Sequence, residues 1–218
     1  YILTVSVSVA SGVAQITSAV PALHDYRVVL SVVFIMFVMM MNLRGVKESG
    51  TAFAIPTYFF VVLMLTAVGT GIFRLFVTGT LGTVIDPPEL LAHGVSQITP
   101  FLILHAFASG TTALTGVEAI SNGITAFKEP RSKNAGVTLI WMSLILGTLF
   151  LGISYLTKSI GAVPSESETV ISQLARTIFA GRGTLYLMLI GATTVILIMA
   201  ANTAFADFPR LGALVAKD

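Results

Sequence analysis

Residues 100–127 read PFLILHAFASGTTALTGVEAISNGITAF, and the reading of this stretch decides the fold. It is long enough to cross a hydrocarbon core of ~30 Å at ~1.5 Å per helical residue. Its ends are apolar, yet its middle is broken by Gly110, Gly116 and Gly123, with Thr111, Thr112, Thr115, Glu118, Ser121 and Asn122 crowded between them. In lipid a helix satisfies its own backbone, so breaks and carboxylates persist only where protein or a water-filled cavity surrounds them. A broken, polar segment at mid-membrane is how solute transporters present backbone groups to a substrate. The competing reading is a glycine-rich packing helix, because small residues also let membrane helices approach closely. Glu118 favours the site, since close packing has no use for a carboxylate.

The rest of the chain fits a membrane setting. Hydrophobic residues make up 55% of it and charged residues 10%, and the mean hydropathy is +0.93. Soluble domains carry about 25% charged residues, so the chain is expected to be an all-α integral membrane protein. A net charge of +2 does not point to nucleic acid. With no cysteine, disulfides and cysteine-based catalysis or metal sites are excluded. HExxH, GxSxG and P-loop patterns are missing too, and the spaced glycines of GTGIFRLFVTG lack a flanking strand, so neither an enzyme nor a cofactor is expected. The chain opens on Tyr1 inside an apolar run, which reads as the interior of a longer protein without a signal peptide.

Six spans are expected, at about residues 1–20, 28–42, 52–72, 100–127, 136–157 and 184–205, within one transmembrane domain over 1–218. In the first, Thr4, Ser8, Ser11, Gln15 and Ser18 recur at steps of four and three, which places them in one stripe along a helix. Such a stripe either lines a pathway or binds neighbouring helices, and the residues alone do not choose between these. Pro21 ends the span and His24–Arg27 forms a polar turn. A charged loop follows at 43–51, a long connection at 73–99, and a basic loop at 128–135. Residues 165–180 read as an amphipathic surface helix, with Ser165 and Glu168 as a capping box and Gly181 as its stop. Asp207–Arg210 is expected to leave the membrane.

Six alternating spans put Arg44, Lys47, Lys128, Arg131, Lys133, Arg210 and Lys217 on one side, seven of the twelve Lys and Arg, mostly in short loops. That side, with loops 43–51, 128–135 and 206–218, is therefore read as cytoplasmic. The broken span then enters from outside. Its outer half ends in carbonyls that suit a cation, and its inner half begins near Gly116 with amides that suit an anion. Thr111, Thr112 and Thr115 add hydroxyl oxygens, and Thr4 and Ser8 on the first span are placed to face them. Glu118 either couples a proton or attracts a cation, or else fixes the break by accepting from nearby donors. His105 reads as a hydrogen-bonded histidine before a functional one. Asn202 and Thr203 are candidates for an inner exit, with Ser11 and Gln15 also on the pathway.

LTVSVSVASGVAQITSA, NLRGVKESGTAFAIPTYF, LTGVEAISNGITAFKEPRSKNA and ANTAFADFPRL together resemble the APC (amino acid–polyamine–organocation) transporter superfamily. The resemblance covers the whole chain and implies the third to eighth helices of a LeuT-like inverted-repeat fold, with residues 100–127 as its discontinuous sixth helix. TALTGVEAISNG and NTAFADFPRL look most like the branch of proton-coupled, high-affinity potassium importers, wording that proteins called amino acid permeases share. The likeness implies potassium ligands at Thr4, Ser8, Thr112 and Thr115. It also implies that the first and second helices lie outside this chain, which then holds about half a site. The expected function is plasma-membrane secondary transport by alternating access, of potassium with protons, with amino acid uptake or a non-transporting scaffold or sensor as alternatives. The expected partners are the bilayer, a small solute or ion moved with a proton, and a second copy of the chain in a homodimer.

Overall fold

The computed structural model describes residues 1–44, 50–88, 99–110 and 127–216. Its helices are α1 (Ile2–Ala19), α2 (Arg27–Leu43), α3 (Gly50–Thr78), α4 (Pro100–Gly110), α5 (Arg131–Ile160), α6 (Val170–Ile178) and α7 (Thr184–Val215), with a 3-10 helix at Pro21–Tyr26 between α1 and α2. Among the described residues, five stretches are long and apolar enough to cross a membrane: Ile2–Ala19, Pro21–Leu43, Phe53–Thr78, Arg131–Ile160 and Thr184–Pro209. Of the fourth expected span, 100–127, the described residues cover the shorter apolar helix α4 as far as Gly110.

The chain divides into two units. The first comprises Tyr1–Leu91 with Gly152–Asp218, so it contains α1, α2, α3, α6, α7 and the end of α5. Its core forms where α1 and α7 run against each other. Val5, Val9 and Val13 recur at every fourth residue and are buried with Ala201 and Ala204, and Leu30, Phe34 and Ile35 of α2 close over them. In lipid no hydrophobic force separates one apolar helix from another, so contact relies on close-fitting surfaces of this small and β-branched kind. At the end of α2, Asn42 Nδ2 donates to Asn202 Oδ1 at 2.7 Å and to Val38 O at 2.9 Å, which joins α2 to α7 by a polar contact. Much of the remaining apolar surface is outward. On α2, Val29, Val33, Met36 and Phe37 are exposed, as expected of a helix that meets lipid or further helices.

The second unit, Ala92–Leu151, contains α4 and the first part of α5. Phe101 and His105 stack one turn apart with ring centroids 6.3 Å from each other. Before α5, Asn134 Nδ2 donates to Lys128 O at 2.8 Å, and Glu129 pairs with Arg131 at 3.1 Å where both are exposed.

Two helices run further than the sequence suggests. The third span was expected to end near Ile72, at Gly69 and Gly71, before the charged Arg74. Helix α3 continues to Thr78 because the Arg74 guanidinium folds back onto the end of α6 and donates to Ile178 O at 2.5 Å and Thr177 O at 3.3 Å. Gly71 is a packing point, since a Cβ there would lie 2.8 Å from Leu156 Cδ1 and 3.0 Å from Ile178 Cδ1. Likewise α7 continues through Asp207–Arg210 to Val215, with Pro209 inside the helix.

Gly152 of α5 leaves room for Val68 of α3, and a side chain there would overlap Val68. Gly152→Val should therefore lower the melting temperature of the detergent-solubilised protein, corresponding to about 1–3 kcal/mol of overpacking. Gly191→Val, at a position with open space around it, should change the melt little. Equal shifts for the two would contradict the close approach of α3 and α5.

Candidate functional site

Helix α1 carries the predicted polar stripe, and the structure splits it in two. Thr4 is exposed, Ser8 and Ser11 are half-buried, and Gln15 and Ser18 are buried. Most helical hydroxyls here donate to a carbonyl one turn back, as Ser6 does to Ile2 O (3.1 Å), Ser31 to Arg27 O (2.8 Å) and Thr66 to Val62 O (2.7 Å). Ser8 and Ser11 do not, and Thr4 stands in the first turn of α1, where this chain holds no carbonyl four residues back. Among the described residues their hydroxyls have no partner, and they line ~10 Å of one helix face at ~1.5 Å per residue. Hydroxyl oxygens without an internal partner are hard oxygen donors by chemistry.

The outer end of the stripe is already committed. Gln15 Oε1 accepts from Thr169 Oγ1 at 3.0 Å, and Ser18 Oγ accepts from Thr169 N at 2.9 Å while donating to Ala14 O at 2.7 Å. Thr169 is the N-cap of α6, its Oγ1 accepting from Ser172 N at 3.2 Å. Here the structure corrects the sequence reading, which put the cap at Ser165 with Glu168 completing a box. Glu168 precedes the cap instead, and its carboxylate turns inward. Oε2 meets Arg176 Nη2 at 2.8 Å with both side chains 7% exposed, and Oε1 accepts from Ser172 Oγ at 2.6 Å. Ser172 Oγ lies 2.7 Å from the hydroxyl of Tyr186, a wholly buried residue at the start of α7.

Helix α6 is thus no surface helix. Every residue from Ser172 to Ile178 is buried, polar ones included, and their polar groups have internal partners apart from Arg176 Nε, which is buried without one. Gln173 exchanges two hydrogen bonds with the backbone of Val163 (2.7 and 3.1 Å), and Arg176 Nη2 also donates to Asp86 O at 3.0 Å. Gly181 N donates to Arg176 O at 2.8 Å, which closes the helix end as a Schellman turn with Ala180 in the left-handed region at φ 55°. The sequence signals for this anchor were hidden, because its partners Ser18, Arg74 and Asp86 lie far away along the chain.

The remaining predicted residues divide simply. Thr111, Thr112, Thr115, Gly116 and Glu118 lie outside the described residues. Asn202 is drawn into the contact with Asn42, and Thr203 Oγ1 donates back to Met199 O at 3.2 Å.

A family model described as amino acid permease matches residues 1–218. The chain belongs to the amino acid permease family. That membership agrees with the resemblance to APC transporters and with the LeuT-like helical fold expected from it, and makes the chain a multi-pass membrane protein. Potassium transporter KimA of Bacillus subtilis (strain 168) is 47% identical over 221 residues, which cover 100% of this chain and 35% of that protein. The permease chain spans about a third of the length of that curated relative.

Removing one partner of the Glu168–Arg176 pair leaves an uncompensated buried charge. Glu168→Gln and Arg176→Gln should each destabilise the protein by about 3–5 kcal/mol in thermal or denaturant unfolding, while the double variant should cost less than the sum. Additive losses would show that the two charges do not hold each other.

Proposed function

We propose that this chain belongs to a secondary active transporter that takes up potassium with protons by alternating access across the cell membrane. The observation that carries the proposal is the row of unpartnered hydroxyls at Thr4, Ser8 and Ser11, beside the face of α1 whose Val5, Val9 and Val13 are buried in the core. Its substrate follows from oxygen chemistry, since a dehydrated alkali cation needs several neutral hydroxyl and carbonyl ligands at once. The 47% identity to a protein named as a potassium transporter supports the same substrate.

In this reading Thr4 and Ser8 supply ligands from α1, and Thr112 and Thr115 supply them from the broken span, together with carbonyls at the end of its outer half. Ser11, Asn202 and Thr203 mark the path. Glu118 exchanges the coupled proton. Loops 43–51, 128–135 and 206–218 face the cytoplasm, because they concentrate the positive charge. Amino acid uptake is the second reading, favoured by the description of the matching family. It would use the amides that start the inner half-helix near Gly116 to hold a substrate carboxylate.

Uptake of rubidium into vesicles carrying the protein separates the readings. Rubidium should accumulate and be lost when the proton gradient is collapsed. Thr112→Val and Thr115→Val should each weaken rubidium affinity roughly fivefold to tenfold, as the loss of about 1 kcal/mol of ligation implies, and Glu118→Gln should abolish uptake with normal protein levels. Labelled amino acid uptake indifferent to potassium would replace the first reading with the second. Failure to move either would leave a scaffold or sensor.

A further inference from the structure

Outside the stripe, the structure holds a second place where polar groups lack partners. A cavity of about 410 Å³ opens between α1, the 3-10 helix and α2, within the ~300–1,000 Å³ range of ligand pockets. One wall is apolar, formed by Ala10, Val13 and Ala14 of α1 with Val28 and Val32 of α2. Its other end is polar, with Thr17, His24, Arg27, Ser31 and Glu166. From Ala10 to Thr17 the wall descends ~10 Å along α1 at ~1.5 Å per residue, so the polar end sits where the span meets the interface and the apolar end lies within the bilayer.

Three features at the polar end call for an occupant. His24 Nδ1 is buried and has no hydrogen-bond partner. Arg27 and Glu166 face the same cavity with opposite charge, and among the described residues neither side chain has an ion-pair partner. A buried unpartnered nitrogen costs free energy, and two opposite charges left apart across one cavity suit a ligand that carries both signs. Val28 and Val32 are 68% and 54% exposed, so the apolar wall is open on the α2 side that carries Val29 and Val33. The occupant must therefore be an amphiphile with a zwitterionic head and an apolar tail.

We infer that this cavity binds one phospholipid with a phosphoethanolamine head. Its phosphate accepts from Arg27 and His24, its primary ammonium donates to Glu166, and an acyl chain follows Ala10, Val13 and Ala14 into the membrane. A phosphatidylglycerol head offers Glu166 no cation, and a choline head offers it no N–H donor. The site is thus selective for ethanolamine by chemistry as well as by charge.

Native mass spectrometry of the protein extracted from nanodiscs of equal phosphatidylethanolamine, phosphatidylcholine and phosphatidylglycerol content tests this. Phosphatidylethanolamine should be retained several-fold over the other two. Glu166→Gln should erase that preference, and Arg27→Gln should lower retention of all three. Both positions are exposed, so the melting temperature without added lipid should be unchanged, and added phosphatidylethanolamine should raise it in the wild type only. Equal retention of the three lipids, or retention indifferent to both substitutions, would overturn the inference. Displacement by soluble phosphoethanolamine at similar concentration would overturn it too, since the ligand would then be a free zwitterion and not a lipid.

Discussion

The ion pair between Glu168 and Arg176 fixes where one end of the first unit can be. Both side chains are almost wholly out of water, and such a pair is favourable only if its remaining lone pairs and protons are met. The pair recruits the hydroxyl of Ser172, itself held by Tyr186, and the carbonyl of Asp86, from α6, the start of α7 and the segment after α3, while Arg176 Nε stays without a partner. Arg74 and Thr169 then fasten the two ends of α6 to α3 and α1. A short helix that would be marginal alone is held by four neighbours, and the ends of those neighbours are set by it.

That anchoring also explains the division of the α1 stripe. Gln15 and Ser18 use their polar atoms on Thr169, so they are spent on structure. Thr4, Ser8 and Ser11 lie beyond the reach of α6 and keep theirs. One sequence pattern, repeated every three or four residues, is therefore divided by the position of α6 into residues that hold the fold and residues whose hydroxyls stay uncommitted within it.

Five of the expected spans were legible as long apolar helices because apolar runs are local signals, whereas most of the expected span 100–127 lies outside the described residues. Helix ends were less so. Arg74 reads as an exit from the membrane until its acceptors on Thr177 and Ile178 are known, and those lie about a hundred residues away. The cap of α6 was misplaced for a related reason: Ser165 and Glu168 match a local pattern, but the carboxylate gains more from Arg176 and Ser172 than from a backbone amide. The candidate site was legible on α1 as a stripe of hydroxyls, without any sign of which were committed. Its other half, Thr112, Thr115 and Glu118, rests on the sequence, on the break it encodes and on the resemblance to potassium importers.

A paired comparison of Ser8→Ala and Ser18→Ala tests the central claim most directly, with rubidium uptake and melting temperature measured on both. Ser8→Ala should weaken rubidium affinity and leave the melt unchanged, because its hydroxyl binds nothing in the described fold. Ser18→Ala should lower the melting temperature, as expected when the Thr169 amide loses its acceptor at a cost of about 1–3 kcal/mol, and should leave affinity in the remaining folded protein unchanged. The reverse pattern, or the same pattern for both, would contradict a stripe divided between structure and ion.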